Sequence, residues 1–169
     1  MRFEFSAGGI VYKKDQDNIL KQVQDDIKIL VCQHSQHHGW VFPKGLIDDH
    51  VKGQKKSASA KGFGETKEEA AIREVREETG IFAKIIEPST PVSYWYNFEG
   101  EKIKKTVYYF LMEYVSGDTK DHDFEMENVE WLIMDEVDER LTYKSDREVW
   151  KQARQKIPNS KHQILNKSQ

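Results

Sequence analysis

A single cysteine, Cys32, occurs in this chain of 169 residues, so no intrachain disulfide can form. One thiol in a short apolar run reads as a buried strand residue in a reducing compartment, which points to the cytoplasm. Long apolar runs are missing too. The stretch "IKILV" is far short of the roughly 20 residues needed to cross a bilayer, and "MRFEFSAGG" has no apolar stretch of signal length, so no membrane partner is expected. A large excess of one charge is also absent. With a formal net charge of −3 and a pI near 6.1, the chain is not built to hold duplex nucleic acid through its overall field, although a local basic pocket is compatible with those values. What is abundant is charge of both signs: 33% of residues are charged against 37% hydrophobic, which suits one globular domain with an ordinary core. The sequence specifies no oligomeric state.

Apolar residues concentrate or alternate over strand lengths in "FEFSAGGIVYKK" and "DIKILVCQH", and the polar stretch between these strands reads as a long loop. "GWVFPKG" is a short apolar run ended by Pro43 and Gly45. The following residues, to Phe63, are polar, basic and small, and read as an irregular loop. "IFAKII" is a strand, "VSYWYNFEGEKIKKTVYYFLMEYV" is an aromatic hairpin turning near Glu99 and Gly100, and "NVEWLIM" is one more strand. "SDREVWKQARQKI" opens on a capping type of residue and places Val149, Trp150, Ala153 and Ile157 at helical spacing. Residues 159–169 form a polar tail expected to fray.

Chemistry concentrates in "GETKEEAAIREVREETGI", from Gly64 to Ile81. Thr66 and Glu69 have the spacing of a capping box, and Gly80 supplies a left-handed stop, so a helix lies between them. At ~100° per residue, Ile72, Val75 and Thr79 share one side, while Glu74, Glu77 and Glu78 form a stripe about a third of a turn away, expected to point away from the core. Such a stripe would ordinarily be a solvated acidic face, helped by the Arg73–Glu77 pair. Two carboxylates ~4 Å apart repel by about 4 kcal/mol at an effective dielectric near 20, however, and a third nearby calls for compensation by solvent, protons or cations. Magnesium accepts a few carboxylates and fills its remaining positions with water and phosphate oxygens, so the stripe suits a metal platform beneath a pocket.

These residues resemble the signature of the Nudix hydrolases: Gly, five residues, Glu, seven residues, then Arg-Glu-aliphatic-any-Glu-Glu-any-Gly-aliphatic. Glu65, "TKEEAAI", Arg73, Glu74, Val75, Glu77, Glu78, Gly80 and Ile81 fit it. The first glycine departs from the pattern. Position 59 is serine, and the matching residue is Gly45, displaced by 14 extra residues in the loop. "AGGIVY", "GWVFPKG", "KTVYYFL" and "VEWL" also resemble Nudix features at corresponding places, so the likeness spans residues 1–158 with an insertion at about 46–63.

The resemblance implies an α+β fold, an α/β/α sandwich with a mixed central sheet, and hydrolysis of a phosphoanhydride in nucleoside diphosphate-linked substrates. It further implies that Glu74, Glu77 and Glu78 hold Mg²⁺ or Mn²⁺, with one helping to deprotonate the attacking water. Arg73 would orient a helix glutamate, and Glu65 would support the loop or the metal cluster. Family members often bring another glutamate from the loop before the late strand; Glu125 is the candidate here, with Glu127 in reserve. Lys44 and Gly45 of "FPKG" are candidates for substrate binding. They are most similar to the corresponding residues of hydrolases of dinucleoside polyphosphates, diphosphoinositol polyphosphates and RNA 5′ ends. Dinucleoside polyphosphates are the leading substrate expectation; nucleoside-diphosphate sugars, ADP-ribose, RNA 5′ ends and diphosphoinositol polyphosphates are alternatives, and a nucleotide-binding sensor without turnover is the non-enzymatic one. Two clusters have bland readings as well. Lys102, Lys104 and Lys105 beside Tyr94, Trp95 and Tyr96 serve either as phosphate and base contacts or as cross-strand pairs. His34, His37 and His38 read as surface histidines rather than a metal site, because no cysteines accompany them.

Overall fold

The computed structural model describes residues 1–14, 27–47 and 64–158. The expected insertion, from residue 48 onward, and the 159–169 tail lie outside the described residues. The framework is a mixed sheet built on two long strands, β1 (Arg2–Lys14) and β7 (Glu101–Gly117), paired in parallel from Arg2↔Ile103 to Tyr12↔Glu113. Beyond β1 lie β2 (Ile27–His34) and the short β3 (Trp40–Val41), both antiparallel to their neighbours, while β4 (Lys44–Leu46) pairs with the first half of β1. Beyond β7 lies β5 (Ile81–Pro88), and β6 (Val92–Phe98) pairs with the start of β7. β8 (Met126–Ile133) runs antiparallel along β2.

Strict alternation along the central strands gives the sheet two buried faces. Ile10, Tyr12, Ile29, Val31, Tyr109 and Leu111 face one way. They pack against α2 (Met134–Arg140) and α3 (Lys144–Ala153), which supply Val137, Val149 and Trp150, and against Leu141 between them. Ala7, Val11, Leu30, Phe110 and Met112 face the other way, against Ala70, Ala71 and Val75 of α1 (Lys67–Thr79). The result is the expected α/β/α sandwich.

Local signals explain most of the boundaries. Thr66 and Glu69 form the reciprocal capping box, at 2.9 and 3.1 Å, and Gly80 ends α1 at φ 74°, donating its N–H to the Arg76 carbonyl. A Cβ at Gly80 would stand 2.3 Å from the Asp118 carbonyl oxygen, so close approach reinforces the conformational demand. The hairpin turns at Glu99 and Gly100, both at positive φ, the arrangement that matches strand twist. One boundary needs correction, and one helix was not expected. α3 begins at Lys144, one residue before Ser145, and no side chain caps it. α2, hidden in "MDEVDER", has no capping side chain either and buries only Met134 and Val137, too little periodicity to separate it from the preceding strand.

Candidate functional site

The acidic helix turns only Glu77 of its stripe to solvent, not all three carboxylates as the periodicity suggested. Glu74 and Glu78 are buried, at 9% and 4% exposure, whereas Ile72 is 42% exposed. A third of a turn is too small an angle to clear the sheet once β4 and the segment before it pack over the same side of α1. Lys44 donates its backbone N–H to Glu78 Oε2 at 2.9 Å. Gly45 sits so close to Glu74 that a Cβ there would lie 2.1 Å from the carboxylate carbon. A glycine is required at this point by contact with the glutamate rather than by a turn.

Arg73 organises the outer part of the cluster. Its guanidinium donates to both oxygens of Glu65 at 2.6 and 2.9 Å, to Glu74 at 2.6 Å, to Glu77 at 3.2 Å and to the Leu46 carbonyl at 3.0 Å. Glu65 thereby ties the segment before α1 to the arginine. Arg73 does not reach Glu78. Burial pushes the Glu78 carboxyl up to about 8, against the pull of Lys44, with Glu74 and Glu125 adding to the rise. Burial also raises Glu74, opposed by Arg73 and assisted by Glu77 and Glu125.

These residues form part of the floor of a cleft of about 1140 Å³, with Lys44, Lys105 and Glu125 around it. Glu125 stands in a loop fastened at both ends: Asp123 N–H donates to the Glu77 carbonyl, and Ser35 N–H donates to the Glu125 carbonyl. Glu127 lies elsewhere, its carboxylate 2.6 Å from His38 Nδ1. The two candidates thus differ in place, and the cleft takes Glu125.

Lys44 lies on the cleft floor, with its Nζ 3.9 Å from Asp146 and 3.5 Å from the Phe42 carbonyl. Burial pulls its ammonium down, but Asp146 and then Glu78 outweigh it, and the group titrates above its ordinary value. Asp146, on α3, is the residue that sequence reading missed. It is 3% exposed and accepts from Phe42 N–H at 3.2 Å, Tyr109 hydroxyl at 3.3 Å and Ser145 hydroxyl at 3.4 Å. The signal available was an aspartate at the start of an amphipathic helix, which ordinarily means favourable placement near the helix dipole and nothing more.

The aromatic and basic cluster divides by strand alternation. Tyr94, Tyr96 and Lys105 face the cleft, whereas Trp95 is on the opposite surface with Lys102 and Lys104 over its ring at 4.7 and 5.8 Å. Burial, then Lys44, lowers the Lys105 ammonium. His34 and His37 also line the cleft, stacked at 4.2 Å, with Tyr143 edge-on to His37. Among the described residues no three His, Cys, Asp or Glu side chains close around a common point as a finished metal cage. The acidic floor is an open platform. No helix of the described residues is long and apolar enough to cross a membrane.

With a two-faced sandwich and an acidic helix beside a cleft established, the chain can be set beside known domains. The NUDIX domain model matches residues 12–153, and the chain belongs to that family. MutT4 of Mycobacterium tuberculosis is 35% identical over 108 residues, covering 64% of this chain and 38% of that protein. The chain spans about a third of the length of the curated relatives it matches. Among solved structures, a binary complex of a C. elegans Ap4A hydrolase superposes with a TM-score of 0.61 at 24% identity, covering 88% of this chain and 93% of that one. The NUDIX domain of Shewanella oneidensis NrtR, complexed with ADP ribose, gives 0.62 at 17% identity, covering 93% and 90%. Both likenesses are of fold.

Proposed function

We propose that this chain is a metal-dependent pyrophosphohydrolase of nucleoside diphosphate-linked substrates, with dinucleoside polyphosphates the leading class. The observation that carries the reading is the pair of buried carboxylates, Glu74 and Glu78, on the floor of a large cleft that also holds Lys44 and Lys105. A carboxyl pushed up to about 8 by burial, with one backbone N–H donating to it, is short of positive charge, and a divalent cation supplies that charge. The residues present therefore fit Mg²⁺ or Mn²⁺. Glu74, Glu77 and Glu78, with Glu125 facing them, would hold the ion, and the open platform leaves room for water and phosphate oxygens. When bound, the ion would supply positive charge to the phosphate oxygens and make water more acidic.

The remaining work falls to the chain itself. Arg73 holds Glu74 and Glu77 in place through ion pairs anchored on Glu65. Lys44 and Lys105 offer charge to phosphates beyond the scissile pair, Lys44 as a point charge with donors to spare. One of the cleft carboxylates receives the proton of the attacking water. A cleft of about 1140 Å³ exceeds the ordinary range of roughly 300–1,000 Å³ for ligand sites, which favours a substrate longer than a mononucleotide.

The test compares diadenosine tetraphosphate and hexaphosphate with ADP-ribose in wild type and Lys44→Ala, with the products identified. An added charge-assisted contact of ~1.5–3 kcal/mol corresponds to roughly ten- to a hundred-and-fifty-fold in kcat/KM, and the alanine variant should lose most of that preference. Asymmetric cleavage to ATP and AMP supports the reading. A preference for ADP-ribose that survives Lys44→Ala would transfer the assignment to the ADP-ribose or nucleotide-sugar class, the second reading.

A further inference from the structure

Lys44 stands between two carboxylates that make opposite demands on it. Its backbone N–H is given to Glu78 at 2.9 Å, so the chain places this lysine beside the metal platform. Its ammonium is a competing cation. If Nζ folded back onto Glu78, it would occupy a carboxylate the metal needs and would leave the phosphate side of the cleft. In the structure it does not do so: among the described residues, Asp146 is the one carboxylate within 4.0 Å of Nζ.

Asp146 is built to stay where it is. The Phe42 N–H, the Tyr109 hydroxyl and the Ser145 hydroxyl all point at its carboxylate, which is 3% exposed and carried on α3 across the cleft from α1. The Phe42 contact also clamps the segment leading to Lys44, so one carboxylate fixes both the backbone and the charge of the lysine. At 3.9 Å the pair is loose enough to leave ammonium protons free for an anion.

We propose that Asp146 is a positioning residue that draws the Lys44 ammonium toward α3 and away from Glu78, so that the lysine serves the anionic substrate while the glutamates stay open to the cation. This rests on the metal-dependent reading above. It predicts that losing Asp146 harms metal binding only while Lys44 is present to take its place on Glu78, a pattern that a purely structural aspartate does not produce.

The test measures Mg²⁺ affinity by calorimetry, without substrate, in wild type, Asp146→Asn, Lys44→Met and the double variant. Thermal melts check that each is folded. Asp146→Asn should weaken Mg²⁺ binding about tenfold, and adding Lys44→Met should restore it to within roughly twofold of Lys44→Met alone. Tyr109→Phe, which removes a neutral hydrogen bond to Asp146 and keeps the charge, should leave Mg²⁺ affinity unchanged. Either of two patterns among the variants overturns the inference, namely a double variant as weak as Asp146→Asn or a Tyr109→Phe variant as impaired as Asp146→Asn. An unchanged affinity in Asp146→Asn overturns it as well. A folded wild type that binds no Mg²⁺ at millimolar concentration sinks the metal-dependent reading itself, and this inference with it.

Discussion

Replacing Glu78 with glutamine should make the metal-free protein more resistant to alkaline pH while destroying its activity. In the folded state burial pushes the Glu78 carboxyl up to about 8, whereas the unfolded chain titrates near 4.5. Between those values the folded state holds a proton that the unfolded state has released, so stability falls as pH rises through the window and levels off above about 8. At 1.36 kcal/mol per unit, the loss between pH 5 and pH 8.5 is on the order of 3–4 kcal/mol, most of it absent from a neutral glutamine that still accepts the Lys44 N–H. For a domain of this size that is roughly 6–15 °C in melting temperature. Glu74 is shifted in the same direction in both proteins and largely cancels in the comparison. Urea titrations in EDTA at several pH values give the two curves, and repeating them with saturating Mg²⁺ at pH 8.5 should stabilise the wild type much more than the variant. Turnover should fall at least ~10²-fold. Parallel stability curves for wild type and variant, or equal stabilisation of both by Mg²⁺, would refute the reasoning.

Gly45→Ala should displace the Glu74 carboxylate, because its new Cβ lies 2.1 Å from the Glu74 carboxylate carbon; Mg²⁺ affinity and kcat should drop ~10-fold or more, with a stability cost near 1–2 kcal/mol by urea denaturation. Glu125→Gln should lower kcat by at least ~10-fold, whereas Glu127→Gln, which touches only the exposed contact with His38, should leave it within about twofold; steady-state assays of the pair decide between the candidates. Trp150→Ala, at the fully buried centre of the α2–α3 face, should cost about 3–5 kcal/mol in urea titrations.

What was legible in the sequence was whatever a local rule encodes. The Thr66–Glu69 box, the Gly80 stop, the Glu99–Gly100 turn and the alternation of β1, β2 and β7 each need only neighbours in the chain, and all appear in the structure. The direction of the acidic stripe was not legible, because periodicity gives angles between side chains and not which segment will cover them. It took the packing of Lys44 and Gly45 against α1 to bring cover onto Glu78 and Glu74. Asp146 was out of reach for the same reason: its partners Phe42 and Tyr109 lie 104 and 37 residues away.

Capping, turn chemistry and core alternation agree with one another across the described sandwich, and the conflicts gather in one place. Three of its buried polar residues are the carboxylates Glu74, Glu78 and Asp146, drawn from two helices on opposite faces of the sheet, and Lys44 touches both sides of that set. Buried charges of this kind gain little stability over apolar side chains of similar volume, and often lose some. A sequence selected for folding alone would have no use for them. Their convergence on one cleft is therefore better explained by a ligand that repays their desolvation when it binds, and the required ligand must carry positive charge toward α1 and negative charge toward Lys44. A divalent cation paired with a polyphosphate has that polarity.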